Sequence, residues 1–182
     1  MKPVPKEGIL DMPAYVGGRD GVKGVADPHK MSANETPLGA SPAARAALEE
    51  AFDPSVYPDG HAIALREALA KLNGLNAENI VCGNGSDEIL QLLTQAYLRP
   101  GDEVLHTEYA FLIYKLASRA AGARPIAVGE RALTASVDAL LGAVTPATRM
   151  VFLANPNNPT GTMLGRDGIM RLHAGLSGDT IL

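Results

Sequence analysis

The 182-residue sequence contains a single cysteine, Cys82, so no internal disulfide can form. It lies in a strand-like segment, where a buried thiol of a reducing compartment is the expected role. No run approaches the roughly 18 consecutive apolar residues that a membrane-spanning helix needs. Residues Met1 to Pro13 carry charges and prolines but no apolar core of the kind a secretory leader has, so the expected location is the cytoplasm. Lysine and arginine form no run and the formal net charge is −4, which argues against nucleic acid as a partner. The four histidines (His29, His61, His106 and His173) are scattered, with no pair at helical i, i+4 spacing, and no metal site is expected. What is present is ordinary for a globular protein: 46% hydrophobic and 20% charged residues, in a length that fits one domain or one large domain with an appendage.

The stretch Asn79-Ile80-Val81-Cys82-Gly83-Asn84-Gly85-Ser86-Asp87-Glu88-Ile89-Leu90-Gln91-Leu92-Leu93 reads as a short apolar strand, a glycine-bracketed turn and a helix. Gly83 and Gly85 can take positive φ or admit a close approach to the backbone. Ser86 is the expected N-cap, and Ile89, Leu90, Leu92 and Leu93 supply the apolar face. A helix N-terminus at a strand end presents unpaired N–H groups and a positive dipole end, which suit a phosphate. No Gly-Lys-Ser/Thr follows, so this is not a Walker A loop. Glu88 at the third glycine position excludes the dinucleotide fingerprint. A plain strand-to-helix turn accounts for the same residues equally well. Asp87 and Glu88 oppose a phosphate unless only their backbone N–H groups face it.

Residues 1–40 are rich in proline and glycine and read as an arm lying on another surface. Ser41-Pro42 opens a helix over Ala43 to Phe52. Tyr57-Pro58-Asp59-Gly60 is a turn, and a second helix runs from Ala62 to Leu72 until Asn73-Gly74 closes it. Beyond residue 79 the pattern alternates. Strands are expected at Glu103–His106, Arg124–Val128 and Arg149–Ala154. Helices are expected at Ala110–Ala121, at Thr134–Leu141 with Thr134 or Ser136 as cap, and at Arg166–Leu176. Short apolar strands separated by helices imply a parallel sheet covered on both faces, with ligands beyond the strands' carboxyl ends. Three loops follow strands there: Gly83–Asp87, Thr107–Tyr109 and Asn155–Gly161. In the last, either proline of Asn155-Pro156-Asn157-Asn158-Pro159-Thr160-Gly161 is a candidate for a cis bond. Thr180-Ile181-Leu182 reads as a strand just beginning. A buried strand needs about five residues, so a truncated chain with an exposed, aggregation-prone sheet edge is expected.

The Asn-Pro-x-Asn-Pro-Thr-Gly run, with a Gly-x-Gly-Ser-x-Glu turn about seventy residues before it, resembles the fold-type I pyridoxal-phosphate aminotransferases. Three further stretches resemble the histidinol-phosphate aminotransferases within that class: Ser32-Ala33-Asn34-Glu35-Thr36-Pro37-Leu38-Gly39-Ala40-Ser41-Pro42, Tyr57-Pro58-Asp59-Gly60 and Tyr15-Val16-Gly17-Gly18. Thr36, Ala40 and Gly17 depart from the family pattern, and so does Tyr109, which stands where the family usually has proline. The resemblance implies a three-layer α/β/α fold with a mostly parallel sheet. Residues 1–40 would be an arm and small-domain segment, and residues 41–182 an incomplete cofactor-binding large domain.

The same resemblance implies pyridoxal 5'-phosphate as cofactor. The N–H groups of Ser86 and Asp87, next to Gly85, would hold its phosphate. Phe111 would stack on the pyridine ring, and Asn158 would hydrogen-bond the ring's phenolic oxygen. Tyr57 would reach the phosphate in the neighbouring subunit of a homodimer, and Tyr15 and Asn34 would lie near the substrate. The implied reaction is amino-group exchange between histidinol phosphate and 2-oxoglutarate, in histidine biosynthesis. An aromatic aminotransferase, a threonine-phosphate decarboxylase, or a non-catalytic chain that docks on a full-length partner are the alternatives. The family's Schiff-base lysine has no counterpart here. None of Lys2, Lys6, Lys23, Lys30, Lys71 and Lys115 stands in a matching context, so this chain alone is expected to lack transaminase activity.

Overall fold

Val104 and Leu105 are completely buried neighbours, and a β-strand turns successive side chains to opposite faces. Their strand must therefore be covered on both sides. That strand, β1 (Glu103–Thr107), is buried at every position and lies between two parallel partners, β2 (Arg124–Val128) and β3 (Thr148–Phe152), in the order β2-β1-β3. Leu105 pairs with Ile126 on one side and with Val151 on the other. A single parallel bridge, Met150 with Ile181, continues the sheet beyond β3 at the expected fourth strand. The computed structural model describes residues 4–6, 8–12, 21, 23–26, 34–51, 53 and 55–182.

Two helical layers cover this sheet, as its alternation demands. On one face Val104, Met150 and Phe152 cluster with Leu98, Tyr114 and Ala123, backed by Leu90 and Leu93. This is the side of α3 (Gly85–Tyr97) and α4 (Leu112–Ala121). On the other face Leu105, Val128 and Val151 pack with Val137, Leu140 and Leu172, the side of α5 (Val137–Gly142) and α6 (Arg166–Gly175). The three-layer α/β/α arrangement is therefore the one the alternating pattern implied. Ser136, not Thr134, caps α5, accepting the Ala139 N–H at 3.3 Å. At the amino end of β1, buried Glu103 accepts from Thr145 Oγ1 at 2.6 Å and from the Arg124 guanidinium, and these two donors hold its carboxyl below the usual range.

The chain divides into two compact units, residues 14–82 and residues 1–13 with 83–182. The first holds α1 (Pro42–Ala51) and α2 (Ile63–Asn73). Ser41 Oγ caps α1 by accepting the Ala44 N–H, and Gly74 closes α2 in the left-handed conformation. Asp59 of the Tyr57–Gly60 turn does the capping at the start of α2, accepting the N–H groups of His61 at 2.9 Å and Ile63 at 2.8 Å. One expected strand is not there. Ala77–Asn79 forms a 3-10 turn, and residues 80–82 run on without a ladder partner among the described residues. Ile80 has strand-like dihedrals (φ −112°, ψ 128°), but extended backbone without a neighbouring strand to bond to is not a strand. Val81 is 77% exposed, and Cys82 is half-buried rather than set in a sheet.

His106 is a second buried titratable group of the central strand, at its carboxyl end. Its Nδ1 lies 2.8 Å from the Thr107 carbonyl, so the neutral ring carries its proton there. Burial pulls its pKa below the ordinary 6.5, the Thr107 carbonyl raises it in part, and Lys115 on α4 lowers it. A group that protonates less readily when folded stabilises the fold above the unfolded value and loses that contribution as pH falls through the folded one. The urea midpoint is therefore expected to drop on acidification below about 6.5, and to drop less in His106→Gln. Equal pH slopes for the two proteins would contradict this.

Candidate functional site

The carboxyl ends of the three strands release the chain into loops 108–111, 129–136 and 153–165. From β1 the chain goes to α4 on one face. From its neighbour β3 it goes to α6 on the other. Connections that diverge from adjacent strands open a crevice at the carboxyl edge. The α3 terminus belongs to the same rim. Its carboxyl end joins the amino end of β1 through the turn at 98–102, so α3 runs antiparallel to the strands. Thirteen helical residues span about 20 Å and five strand residues about 17 Å, which brings the α3 amino end to the level of the strands' carboxyl ends.

Gly83 and Gly85 shape that terminus for different reasons. A Cβ at Gly83 would fall 2.9 Å from both Glu88 Oε2 and Ile89 Cδ1, while Gly85 takes φ +75°. The N-cap position is Asn84 rather than the expected Ser86. The reason is Glu88, whose Oε2 reaches back to the Asn84 N–H at 2.6 Å and its Nδ2 at 3.1 Å. That contact occupies the Glu88 carboxylate and moves Ser86 into the first turn. The N–H groups of Ser86 and Asp87 then have no preceding carbonyl to donate to among the described residues. Such a pair of amides suits an anion.

Phe111 is half-buried at the start of α4. Its ring meets Tyr114 edge-on (centroids 6.1 Å apart, 86°), and Tyr114 stacks on Phe152 (4.6 Å, 11°). The three rings form a column rising from the sheet, and burial pushes the Tyr114 phenol up. Phe111 at its upper end can offer an aromatic face to a flat ligand.

The Asn155–Gly161 loop has both Asn-Pro bonds cis. Asn155 ties its base, donating to the Leu164 carbonyl at 3.1 Å and accepting the Leu164 N–H at 2.7 Å. Asn157 is buried, whereas Asn158, the residue singled out from the sequence, is exposed on the same loop. Asn157 Nδ2 donates to the Tyr109 carbonyl at 3.3 Å and to Thr160 Oγ1 at 2.9 Å. Thr160 pairs with Thr162 at 2.8 Å, and Thr162 Oγ1 donates to the Leu133 carbonyl at 2.5 Å. Glu130, just after β2, accepts the Tyr109 N–H at 3.2 Å. The β1, β2 and β3 loops are therefore tied to one another. Asn157 and Glu130 were not legible as site residues. The first sits beside a residue with a stronger motif role, and the second meets its partner 21 positions away with no local pattern.

The unit spanning 14–82 carries Tyr57, which is 97% exposed and so is not packed locally, and Asn34, exposed with φ 54°. Tyr15 lies outside the described residues. No group of three or more His, Cys, Asp or Glu that could hold a metal occurs among the described residues.

The sequence matches the profile of the aminotransferase class I and II family over residues 26–175. The chain belongs to that family. Histidinol-phosphate aminotransferases of Paramagnetospirillum magneticum and Rhodospirillum centenum are 51% and 50% identical to it, each over 99% of this chain and 50% of their own length. The chain thus spans about half the length of the curated relatives it matches. Among solved structures, histidinol-phosphate aminotransferase of Sinorhizobium meliloti in complex with pyridoxal-5'-phosphate superposes with a TM-score of 0.78 at 26% identity, over 82% of this chain and 41% of that one. The aspartate aminotransferase of Thermus thermophilus with maleate gives 0.60 at 28% identity, over 73% and 37%. These likenesses make the fold that of the aminotransferases, as the motifs implied.

The tie between the β2 and β3 loops rests on a turn in a costly conformation. Ala132 and Leu133 both take positive φ (50° and 60°) between Arg131 and Thr134, which bond to each other across the turn. Left-handed φ at two successive non-glycine residues is unfavourable, and Asn-Gly is the preferred pair for such a turn. The double variant Ala132→Asn/Leu133→Gly is expected to raise stability by about 1 kcal/mol. Thermal denaturation checks this, and an unchanged or lowered melting temperature would contradict the turn geometry.

Proposed function

We propose that this chain supplies one part of the pyridoxal 5'-phosphate site of a histidinol-phosphate aminotransferase. The observation that carries the reading is the convergence on one rim of three features: the Ser86 and Asp87 amides, without a partner among the described residues, the Phe111 ring, and the loop bearing Asn158. These suit a phosphate, an aromatic ring and a phenolic oxygen, the three parts by which such a cofactor is gripped. The half-length identity to histidinol-phosphate aminotransferases supports the substrate assignment, histidinol phosphate with 2-oxoglutarate.

In this reading the Ser86 and Asp87 N–H groups, following the left-handed Gly85, bind the phosphate with the α3 dipole behind them. Engagement of the Glu88 carboxylate by Asn84 keeps one negative charge turned to its own loop. Phe111 stacks on the ring and excludes water from one face. Asn158 donates its side-chain N–H to the phenolic oxygen. Exposed Tyr57 reaches the phosphate bound by the second subunit of a homodimer, and Asn34 and Tyr15 stand near the substrate. Pyridoxal phosphate, when bound, supplies an electron sink for bond breaking at the α-carbon of an amino acid. The covalent and proton-transfer role belongs to a lysine that none of the six in this chain matches. Residues 1–40 serve as an arm and small-domain segment and residues 41–182 as the cofactor-binding domain. The cytoplasm is the compartment.

Pyridoxal phosphate titrated into the chain and followed by absorbance tests the reading. Ser86→Pro deletes one amide donor at a first-turn position where proline is tolerated. It is expected to weaken binding about tenfold, the equivalent of one charge-assisted hydrogen bond of about 1.5 kcal/mol, with helical content unchanged. Borohydride is expected to fix no cofactor at a specific lysine. Equal affinity in the two proteins would sink the phosphate assignment. Stable attachment at one internal lysine with transaminase turnover would sink the assignment of the lysine role elsewhere.

A further inference from the structure

We infer that Glu130 and Asn157 form a two-sided clamp on the Tyr109 peptide unit that positions the Phe111 ring at the rim. The inference rests on the cofactor reading above and adds two positioning residues to it. It follows from accounting for every backbone group where β1 ends. Glu108 still donates in ladder fashion to the Val128 carbonyl at 2.9 Å, and the Ala110 N–H closes a turn on the Thr107 carbonyl at 3.2 Å. Tyr109 lies between these, and its two backbone groups are met by side chains. Its N–H goes to Glu130 Oε1 from the β2 side, and its carbonyl accepts from Asn157 Nδ2 on the β3 side. Main-chain groups that leave a ladder need such replacements. Here both come from strand-end loops rather than from water or a local turn.

The consequence reaches Phe111 through one residue. Ala110 is fixed by Thr107, and the Phe111 carbonyl accepts the Tyr114 N–H at 3.1 Å at the start of α4. Holding Tyr109 from both sides therefore sets where the chain enters α4 and where the Phe111 ring sits against Tyr114. The identities of the clamp residues follow. Asparagine at 157 offers an N–H to the carbonyl, where a carboxylate would repel it. Glutamate at 130 requires an N–H at 109, which the proline usual in the family lacks. The Glu130 half of the clamp is thus matched to the tyrosine in this chain. Each clamp side chain also keeps one oxygen, the second carboxylate oxygen Oε2 of Glu130 and the amide oxygen Oδ1 of Asn157, buried without a partner among the described residues. Unsatisfied buried acceptors are rare in native proteins, and two around one peptide mark a position fixed for more than packing.

The test uses the 182-residue chain and two readouts, amide hydrogen exchange and pyridoxal phosphate affinity with its induced circular dichroism. Glu130→Ala and Asn157→Ala are each expected to speed exchange at Tyr109, Ala110 and Phe111 about tenfold relative to the β1 amides, and to weaken cofactor binding about fivefold. Glu130→Gln retains an acceptor oxygen and is expected to restore both values to within about twofold of the parent. In a Tyr109→Pro background, which removes the donor, Glu130→Ala is expected to change neither readout further. If the alanine variants match the parent in both readouts, or if Glu130→Gln behaves as Glu130→Ala, the clamp is wrong while the cofactor reading stands. If the parent binds no cofactor while exchange still responds, the cofactor reading fails. The clamp then remains a loop contact without the assigned role. Should an alanine variant fail to fold, the Gln and Pro variants alone decide the matter.

Discussion

Burial of β1 on both faces is the constraint from which the rest of this structure follows. All five residues of Glu103–Thr107 are buried, so their backbone must be paired on both sides and their side chains covered above and below. Parallel partners satisfy the backbone, but a parallel partner can be reached only by a crossover. Two crossovers, by α4 and α5, supply the two helical layers that the alternating side chains require. The same constraint sends the chain away from neighbouring strands in opposite directions at their carboxyl ends. A rim with a crevice is thus a by-product of covering a central strand.

That rim is held by polar contacts, whereas the sheet beneath it is held by apolar ones. Loops leaving three strands bind to one another through Glu130, Tyr109, Asn157, Thr160, Thr162 and Leu133. The functional candidates are carried on this frame: exposed Asn158 beside buried Asn157, and half-buried Phe111 two residues from Tyr109. Rigid support from buried neighbours lets exposed groups keep a fixed position. The amino end of β1 is built differently. There buried Glu103 is satisfied by Arg124 and Thr145.

Much of this was legible in the sequence because the informative signals are local. Short apolar runs at Glu103–His106, Arg124–Val128 and Arg149–Ala154 and the helical periods between them gave the layers. Ser41 and Gly74 did mark helix ends. The Thr107–Tyr109 and Asn155–Gly161 loops did fall at strand ends, whereas the Gly83–Asp87 turn follows no strand. The failures depend on partners that residue type alone does not reveal. Ile80–Cys82 has the composition of a strand and near-strand dihedrals, but strand formation depends on a neighbour that composition does not reveal. Ser86 is a good capping residue by type. Asn84 holds the N-cap position instead, without a side-chain capping bond, and Glu88 folds back onto it from four positions on. Glu130 and Asn157 were invisible because their partner is a backbone group in the loop that leaves another strand.

The most direct test of the account is a crystal structure of the chain grown with pyridoxal phosphate. The account predicts the ring against Phe111, its phenolic oxygen at Asn158 and its phosphate on the Ser86 and Asp87 amides, with the Tyr109 loop unmoved. Cofactor bound elsewhere, or an empty rim at saturating cofactor, would contradict it.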